Sequence, residues 1–433
     1  MMPFFMNTAQ LHNYFKNTSG VVTDSRKLKK DCFFVALKGP NFDGNQFAET
    51  ALEQGAKYAL IDQKEIAQNN NRLILVENAL NTLQKLATHH RNSLKLKILA
   101  LTGSNGKTTT KELISSVLRQ KYTTKATEGN LNNHIGVPLT LLQFDTNTEI
   151  GIVEMGANHK KEIDFLCHVA QPDYGLITNF GAAHLEGFGG IEGVIQGKSE
   201  LYKYISKKRG TLFLNSDDSL QKKWISKTAH YTFGQALHTS CPLEYIGRKN
   251  QPLTLKMGMD KIESQLYGDY NFPNVAAAVA IGKYFGLTHE QINRGISNYE
   301  PKNNRSQVIL KEKNKITLDA YNANPTSMEA SITSFINNKE NKAAVILGDM
   351  FELGVYASDA HQKIVDLLEQ TDLDKILIAG KHFFQTHSQD MRIVSFESLA
   401  EIKDYLIQNP LEDMEVLIKG SRGMMMENLL EYL

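Results

Sequence analysis

The sequence predicts an α/β protein with three domains. Short apolar runs alternate with segments of helical periodicity along the chain, which is typical of parallel sheets whose strands are joined by crossover helices. At 433 residues the chain is longer than one hydrophobic core usually supports. We therefore expect a small α/β N-terminal domain at residues 1–93, a central parallel-sheet domain of the P-loop type at 94–300, and a C-terminal Rossmann-like domain at 301–433.

The outer two domains are predicted from short apolar strands with helices between them. In the N-terminal domain, strands are expected at 32–37 and 58–61, and helices at 47–55 and 79–91. In the C-terminal domain, strands are expected at 343–347, 375–379, 392–395 and 415–418, followed by a helix at 424–430.

The central domain is predicted to open with a strand at 97–101 that leads through a glycine-rich loop into a helix. The further elements expected are strands at 150–155, 174–178 and 211–214, and a hairpin at 252–267. The segment 274–287 is alanine-rich and contains Lys283, which favours a packed core helix over a membrane span.

Charge balance and cysteine content exclude several classes of function. The chain has 48 Lys and Arg residues against 47 Asp and Glu residues, so it carries no basic field for nucleic acid. Neither a membrane-spanning run nor a secretion signal in residues 1–11 is expected. Cys32, Cys167 and Cys241 form no metal-binding pattern, as is usual for reduced thiols in the cytoplasm. The expected partners are small molecules.

The glycine-rich loop is the strongest indication of a binding site. Glycines let the backbone close on an anion, a helix N-terminus offers unpaired N–H groups, and a lysine adds a point charge. The loop is a short form of the P-loop pattern, because Leu101 stands where the first glycine is usual. A glycine turn followed by chance by a lysine is the alternative. The predicted phosphate-binding residues are Gly103, Ser104, Asn105, Gly106, Lys107, Thr108 and Thr109.

Three titratable side chains of the central domain are candidates for chemistry. Glu154 ends an apolar strand, where a carboxylate is a natural Mg²⁺ ligand; a helix-capping glutamate is the alternative. His184 follows the next strand, and the residues alone leave open whether it binds a metal or packs in the core. Lys198 lies in a helical pattern, where a solvated lysine is the simpler interpretation.

Several short segments of the sequence are together similar to the central domain of the Mur ligases, an ATP-dependent family that forms amide bonds. These matching strings lie at residues 102–108, 128–133, 154–158, 178–179, 183–186 and 198–200. The strings at 321–325, at 348–354 with His361, and at 419–422 resemble the branch that joins D-alanyl-D-alanine to UDP-MurNAc-tripeptide. Those at 23–26 and 39–44 resemble its uridine-nucleotide-binding domain.

The resemblance implies a central ATPase domain and specific catalytic roles. Lys107 and Arg305 would contact the ATP phosphates, and Thr108 and Glu154 would bind Mg²⁺. His184 would bind a second Mg²⁺. Lys198 aligns with the lysine that the family carbamylates, so it would become an anion beside the metals. The reaction implied is peptide-bond formation through an acyl phosphate, in the cytoplasmic synthesis of peptidoglycan precursors.

The resemblance also implies further contacts to nucleotide and substrates. For the nucleotide, the matching residues are Asn271, Asn274, Asp319 and Asn324. Tyr270 stands where a histidine is more usual, and Leu318 stands where a second acid is expected. The matching substrate residues are Asp24, Ser25 and Arg26 for the uridine diphosphate, Asn130, Asn132 and Asn133, and Lys419, Ser421 and Arg422 for the dipeptide carboxylate. An ordinary turn at 24–26 and a basic surface cap at 419–422 are the alternatives.

Two other functions remain as alternatives. One is another Mur-type or folylpolyglutamate-type amide ligase, and the other is a nucleotide-binding protein without turnover. A monomer is expected. The sequence leaves open whether the third residue of the tripeptide is diaminopimelate or lysine.

Overall fold

The protein is described from a computed structural model, whose described residues are 6–67, 70–302 and 304–433. The chain forms two compact units. The first contains the chain up to Ala100, with Thr123–Gly156 and Ile163–Tyr174; the second contains Leu101–Tyr122, Ala157–Glu162 and Gly175–Leu433. Within the described ranges, no helix is both long and apolar enough to cross a membrane.

The N-terminal part of the first unit is a small parallel sheet with helices. Its elements are α1 (Thr8–Lys16), β1 (Val21–Val22), β2 (Phe33–Val35), β3 (Lys38–Gly39), β4 (Phe42–Asp43), α2 (Ala48–Glu53), β5 (Tyr58–Ile61), β6 (Leu73–Leu75) and α3 (Ala79–Ser93). The sheet order is β1-β2-β5-β6, and each pair is parallel. Both predicted strands and both predicted helices are confirmed, because buried apolar residues such as Phe34 and Ile61 form the core between them.

The central part of the chain alternates strands and helices up to residue 242. Its elements are β7 (Lys97–Thr102), α4 (Lys107–Leu118), β8 (Thr124–Ala126), α5 (Gly136–Leu142), β9 (Ile150–Glu154), α6 (Glu162–Ala170), β10 (Tyr174–Ile177), α7 (Leu185–Phe188), α8 (Ile191–Lys207), β11 (Thr211–Asn215), α9 (Ser219–Lys222), β12 (His230–Gly234) and β13 (Cys241–Pro242). In the first unit the strand order is β7-β9-β8, and β8 pairs in parallel with β9. In the second unit the order is β13-β12-β11-β10, with parallel pairing from β11 to β13.

The remainder of the central part is a small antiparallel sheet and two helices. The elements are β14 (Glu244–Tyr245), β15 (Thr254–Met257), β16 (Asp260–Glu263), α10 (Phe272–Tyr284) and α11 (His289–Ser297). The predicted hairpin is confirmed as β15–β16, with β14 as a third strand. Helix α10 is the predicted core helix, and it packs closely on α4: a Cβ added at Gly282 would lie 2.7 Å from the Val117 side chain.

The C-terminal part forms a six-stranded sheet. Its elements are β17 (Gln307–Lys311), β18 (Asn314–Asp319), α12 (Pro325–Asn338), β19 (Ala343–Gly348), α13 (Ala357–Glu369), β20 (Lys375–Ala379), α14 (Lys381–Phe384), β21 (Ile393–Phe396), α15 (Leu399–Gln408) and β22 (Glu415–Lys419). The order is β17-β18-β22-β19-β20-β21, and only β17 is antiparallel to its neighbour. The four predicted strands are confirmed, whereas the hairpin β17–β18 was not predicted.

The segment 424–430, predicted as one helix, is helical in the structure but not as a single element. This segment forms two 3₁₀ helices, Arg422–Met424 and Met426–Tyr432, separated by Met425 in the left-handed conformation (φ 51°). Met426 and Leu429 are buried in the core of the C-terminal sheet. Their spacing of three residues matches one turn of a 3₁₀ helix, so packing against the sheet selects this geometry over the α-helix.

Candidate functional site

The loop between β7 and α4 leaves no room for side chains at its two glycines. Gly103 has φ 150° and Gly106 has φ 75°. A Cβ at Gly103 would lie 1.9 Å from Thr178 Oγ1, and one at Gly106 would lie 2.4 Å from Asn274 Oδ1. Gly106 precedes the first residue of α4. The backbone can therefore bring the helix N-terminus close to an anion, as a phosphate loop requires.

Hydrogen bonds to the segment after β10 hold the loop in place. The Ser104 N–H donates to the Asn179 carbonyl (3.1 Å), and the Asn105 N–H donates to Asn179 Oδ1 (3.1 Å). The Thr178 hydroxyl donates to the Asn105 carbonyl (2.6 Å). The Lys107 ammonium bends over the loop and donates to the carbonyl oxygens of Gly103 (2.7 Å) and Ser104 (3.1 Å). The loop is thus held by hydrogen bonds within the protein, and Thr108 and Thr109 lie in the first turn of α4.

Asn271 and Asn274 support the loop from helix α10 and the turn before it. The Thr110 hydroxyl donates to Asn274 Oδ1 (3.0 Å), Asn274 Nδ2 donates to Asn271 Oδ1 (2.9 Å), and Asn271 Nδ2 donates to the Tyr267 carbonyl (2.8 Å). Both asparagines are buried. These contacts hold α10 against the phosphate loop, while the predicted contact of either amide with adenine stays a prediction.

Lys198 is fully buried on α8, so the interpretation of a solvated lysine is wrong. Its Nζ donates to the Ala157 carbonyl (3.1 Å) and lies 5.1 Å from the centre of the Phe188 ring. Burial, and secondarily the charge of Lys107, holds the pKa of Lys198 well below its usual value. Its ammonium form therefore loses a proton more readily than that of a lysine in water.

His184 contacts a carboxylate that comes from the C-terminal part of the chain. Its Nδ1 pairs with Glu352 Oε2, and His184 itself has the left-handed φ of 53°. The contact with His184 lowers the pKa of Glu352. His184 is therefore not an isolated core histidine.

Glu154 is buried at the end of β9 in the first unit. Its Oε1 accepts a hydrogen bond from Asn132 Nδ2 (2.8 Å), and its backbone N–H donates to Thr127 Oγ1 (3.0 Å). Of the other two asparagines predicted with Asn132, Asn130 is exposed, and Asn133 accepts from the backbone N–H groups of residues 135 and 136 at the start of α5. Of these three asparagines, Asn132 is the one whose side chain contacts Glu154, a predicted metal ligand.

Two further predicted nucleotide residues lie next to the loop between β18 and α12. The Arg305 guanidinium stacks on the Tyr321 ring, 3.5 Å from its centre, and Tyr321 donates its backbone N–H to the Asn304 carbonyl (3.1 Å). The Asn324 side chain caps α12 and contacts Asn105 in the phosphate loop. A planar stack of this kind fixes the direction of a guanidinium group.

The residues predicted for the dipeptide carboxylate have partners inside the chain. The Lys419 ammonium pairs with the Asp319 carboxylate, and Arg422 pairs with Glu427. The Ser421 hydroxyl accepts from the Phe351 N–H (2.8 Å). Asp319 was predicted near the ribose, so the structure joins two residues that the sequence assigned to different ligands.

Tyr270 lies beside this ion pair rather than in the open. Its hydroxyl is 2.8 Å from Ser306 Oγ, and the Ser306 N–H donates to Asp319 Oδ1 (3.2 Å). Burial raises the pKa of Tyr270, with a smaller contribution from Asp319.

The residues predicted to contact the uridine diphosphate lie in the N-terminal part of the chain. The Arg26 guanidinium, on the far side of Ser25 in sequence, donates two hydrogen bonds of 2.9 Å to the Asp24 carboxylate. Arg26 thereby lowers the pKa of Asp24 to about 2.

Glu352 and Tyr321 are residues of the site that the sequence analysis did not single out. Both lie in strings that carry the resemblance, at 348–354 and 321–325. Their position in these strings was the only indication of a role. The neighbouring residues in sequence did not show which residue of each string would contact His184 or Arg305.

Three family models match successive parts of the chain. The model of the Mur ligase family catalytic domain matches residues 17–91, the Mur ligase middle domain matches 101–282, and the Mur ligase glutamate ligase domain matches 304–422. The boundaries predicted after residues 93 and 300 stay predictions.

Known proteins resemble the chain over nearly its whole length. The UDP-N-acetylmuramoyl-tripeptide--D-alanyl-D-alanine ligase of Bacillus subtilis is 33% identical over 424 residues, which are 95% of this chain and 92% of the relative. A crystal structure of MurF from Acinetobacter baumannii has a TM-score of 0.86 at 29% identity and 98% coverage of both chains. MurF of Thermotoga maritima in complex with ADP has a TM-score of 0.84 at 28% identity, covering 96% of this chain and 97% of that one. The predicted three-domain α/β fold is confirmed.

Proposed function

The chain belongs to the Mur ligase family, in its MurF branch, and from that premise we propose that it joins D-alanyl-D-alanine to UDP-MurNAc-tripeptide while ATP is converted to ADP and phosphate. The observation that carries this proposal is that the 33% identity to the UDP-N-acetylmuramoyl-tripeptide--D-alanyl-D-alanine ligase of Bacillus subtilis is measured over 95% of the chain. It therefore covers the N-terminal and C-terminal parts as well as the phosphate loop. This breadth favours the proposal over the folylpolyglutamate-type and the non-catalytic alternatives.

The proposed reaction activates a carboxylate before an amine attacks it. An oxygen of the tripeptide carboxylate attacks the γ-phosphorus of ATP, the bond to the β–γ bridging oxygen breaks, and ADP leaves. The amine of D-alanyl-D-alanine then attacks the acyl carbon, phosphate leaves, and the nitrogen loses a proton. Both steps need stabilisation of phosphoryl charge and protection of the acyl phosphate from water.

The phosphate loop supplies much of that stabilisation in our proposal. Lys107 and the backbone N–H groups around Gly106 would hold the β- and γ-phosphates. Arg305, directed by its stack on Tyr321, would reach the same phosphates. The close packing at Gly103 and Gly106, where a Cβ would meet Thr178 and Asn274, supports this assignment because it fixes the loop conformation at the start of α4.

The proposal includes two magnesium ions, and the candidate ligands carry donor groups of the kind that these ions take. The Glu154 carboxylate is buried and oriented by Asn132, and Thr108 offers a hydroxyl, so both supply the oxygen ligands that Mg²⁺ prefers. His184 would contribute a ring nitrogen at a second position. Magnesium, when bound, neutralises phosphate charge during transfer.

We further propose that Lys198 is carbamylated. A neutral amine adds to CO₂ with formation of an N–C bond and release of one proton, and the product is an anion. The lowered pKa of Lys198 favours the neutral amine that this addition needs. A carbamate at this buried position would orient a cation without exposing the charge to water.

The remaining assignments concern the substrates and the state of the enzyme. Asp24, Ser25 and Arg26 would contact the uridine diphosphate, and Lys419 with Ser421 and Arg422 would receive the dipeptide carboxylate. Asn130 and Asn133, with Asn132, would lie along the tripeptide. The protein would act as a monomer in the cytoplasm, where the precursor synthesis carried out by its relatives takes place.

Phosphate release provides the test of the proposed reaction. The purified protein is incubated with ATP, Mg²⁺ and UDP-MurNAc-tripeptide, with or without D-alanyl-D-alanine, and both phosphate and the pentapeptide product are measured. Phosphate is expected to rise with the dipeptide in a one-to-one ratio to the new amide. Phosphate release that ignores the dipeptide and yields no amide would exclude the ligase. Competition between diaminopimelate- and lysine-containing tripeptides then identifies the acceptor.

A further inference from the structure

We propose that Glu352 is a positioning residue for His184, and that the loop at residues 348–354 exists to hold its carboxylate against Nδ1 of that histidine. This inference rests on the proposed role of His184 as a metal ligand. It assigns a purpose to the string at 348–354 with His361, which the proposed function does not otherwise use.

The contact itself joins two distant parts of the chain. Glu352 Oε2 meets His184 Nδ1, and the backbones also touch, because the Glu186 N–H donates to the Glu352 carbonyl (3.2 Å). A Cβ at Gly354 would lie 3.1 Å from the Glu186 side chain, and Gly354 has φ 53°. The approach is therefore close over several residues and does not depend on one long side chain.

Buried polar groups anchor the first half of the loop. The Asp349 carboxylate accepts from the backbone N–H groups of His382 and Phe383, both at 2.9 Å. The Met350 N–H donates to His361 Nε2 (3.0 Å). His361 is fully buried, and its Nδ1 lies 2.7 Å from the Ala357 carbonyl. Nδ1 must therefore carry the hydrogen, which leaves Nε2 as the acceptor that Met350 needs.

The second half of the loop is anchored from β22. The Phe351 N–H donates to Ser421 Oγ (2.8 Å), and the Ser421 N–H donates to the Asp349 carbonyl (3.0 Å). Glu352 itself has φ 61°, a conformation that non-glycine residues rarely adopt. Each residue from Asp349 to Glu352 thus makes a hydrogen bond or an ion pair with another part of the chain. Glu352, whose side chain contacts His184, is the residue among them with the strained backbone. Strain kept at one position of an anchored loop is typical of functional sites.

A carboxylate at Nδ1 determines which nitrogen of His184 is available. Metal-binding histidines usually donate their second ring N–H to a carboxylate or carbonyl, which fixes the tautomer and the ring orientation. A hydrogen on Nδ1, the nitrogen in contact with Glu352, leaves the lone pair on Nε2. The structure therefore assigns Nε2 of His184 to the cation and Glu352 to its orientation.

The first test is the tautomer of His184 in the protein without metal. Selective ¹⁵N labelling of histidine, with His184→Ala to assign the signals, reports which ring nitrogen carries the hydrogen in neutral imidazole. Wild type is expected to show the Nδ1–H form. Glu352→Gln keeps an acceptor oxygen and is expected to keep this form, whereas Glu352→Ala is expected to lose it. An Nε2–H form in wild type would overturn the proposal.

The second test is metal affinity, measured with Mn²⁺ in the presence of ADP by electron paramagnetic resonance. Glu352→Ala is expected to bind the His184-dependent Mn²⁺ about tenfold more weakly, and Glu352→Gln is expected to bind it nearly as wild type does. Glu186→Gln is the matched control, because it removes a neighbouring exposed carboxylate, and it is expected to leave binding unchanged.

The outcomes separate the two layers of the proposal. If His184→Ala leaves Mn²⁺ binding unchanged, His184 is not a ligand and that part of the proposed function fails. If His184→Ala weakens binding but Glu352→Ala does not, the role of Glu352 is wrong. If Glu352→Ala binds Mn²⁺ more tightly than wild type, Glu352 competes with the cation instead of positioning its ligand, which also overturns the proposal. Circular dichroism of each variant checks that it is folded.

Discussion

The side-chain amide of Asn105, in the phosphate loop, contacts the side-chain amide of Asn324, at the start of α12. Nδ2 of Asn324 donates to Oδ1 of Asn105 at 2.6 Å, and Nδ2 of Asn105 lies 3.4 Å from Oδ1 of Asn324. Close by, the Ala182 N–H donates to Thr326 Oγ1 (2.9 Å). The beginning of α12 is thereby tied both to the phosphate loop and to the segment before His184, so nucleotide binding and the C-terminal part of the site are physically linked.

Asn324 has two tasks that substitutions can separate. Its Oδ1 also accepts from the Ser327 N–H (3.0 Å) and caps α12. Asn324→Asp keeps a cap but has no donor for Asn105, so we expect stability close to wild type with a raised KM for ATP. Asn324→Ala loses both contacts and is expected to lower the free energy of unfolding by about 1 kcal/mol as well. Urea denaturation measures the change in stability, and steady-state kinetics measure the change in KM. Equal KM values for ATP in Asn324→Asp and wild type would contradict a link between Asn324 and nucleotide binding.

Gly106→Ala is expected to abolish ATP binding, as measured by calorimetry. The new Cβ would lie 2.4 Å from Asn274 Oδ1 in a left-handed backbone position, so the loop has to shift. Gly258→Ala is the control for backbone strain alone, because Gly258 also has positive φ but its Cβ would meet nothing within 4 Å. The control is expected to lose about 1–2 kcal/mol of stability and to bind ATP normally. Equal ATP affinity of the Gly106 variant and wild type would refute the assignment of the loop.

Lys198→Ala tests the carbamate. The substitution removes the buried amine, and activity is expected to fall by at least about a hundredfold if a charged group near the metals is essential. Added acetate or bicarbonate should restore part of the activity, because a small carboxylate can occupy the space of the lost side chain. Lys203 is exposed on the same helix and serves as the control. Lys203→Ala is expected to keep wild-type activity, and added acetate or bicarbonate is expected to leave that activity unchanged. Wild-type activity of Lys198→Ala would show that the lysine has no role in the metal site.

The pH dependence of stability provides an independent measurement on Lys198. In CO₂-free buffer, the folded protein holds the pKa of this lysine well below that of the unfolded chain. Between those two pKa values the unfolded state binds more protons, so the free energy of unfolding rises with pH. Lys198→Met removes this contribution, and its stability relative to wild type is expected to decline as the pH rises toward ~10. A difference that does not change with pH in urea denaturation would contradict the lowered pKa.

Tyr270→Phe addresses the base contact that the sequence left open. The Tyr270 hydroxyl bonds with Ser306 inside the second unit, so its loss is expected to cost about 1 kcal/mol of stability. The KM for ATP is expected to stay unchanged, because the hydroxyl already has a partner within the protein. Tyr245→Phe, at a more exposed tyrosine, serves as the control. A rise in KM without loss of stability would instead place Tyr270 at the adenine.

Local patterns were sufficient wherever local burial decides the structure. The strands 58–61 and 375–379 were predicted with the bounds that the structure has, because a buried strand needs an unbroken apolar run and turn residues beside it. The glycine-rich loop between β7 and α4 was equally predictable as a strand–loop–helix unit, since its glycines, its lysine and the start of the helix are contiguous in sequence. The resemblance to a known family then assigned roles to Lys198 and His184 that their surroundings in sequence could not.

Partners that lie far apart in the chain were decided only by the tertiary structure. The sequence placed Asp319 near a ribose and Lys419 near a dipeptide, but β18 and β22 are neighbouring parallel strands that bring their ends together, so the two side chains pair. In the same way, the anchored loop after β19 brings Glu352 to His184. The sequence predicted a helix at 424–430, and the structure has a 3₁₀ helix at 426–432 that packs on the sheet. Apolar periodicity records whether a residue is buried, whereas the identity of its neighbour depends on how strands and loops from separate parts of the chain meet in space.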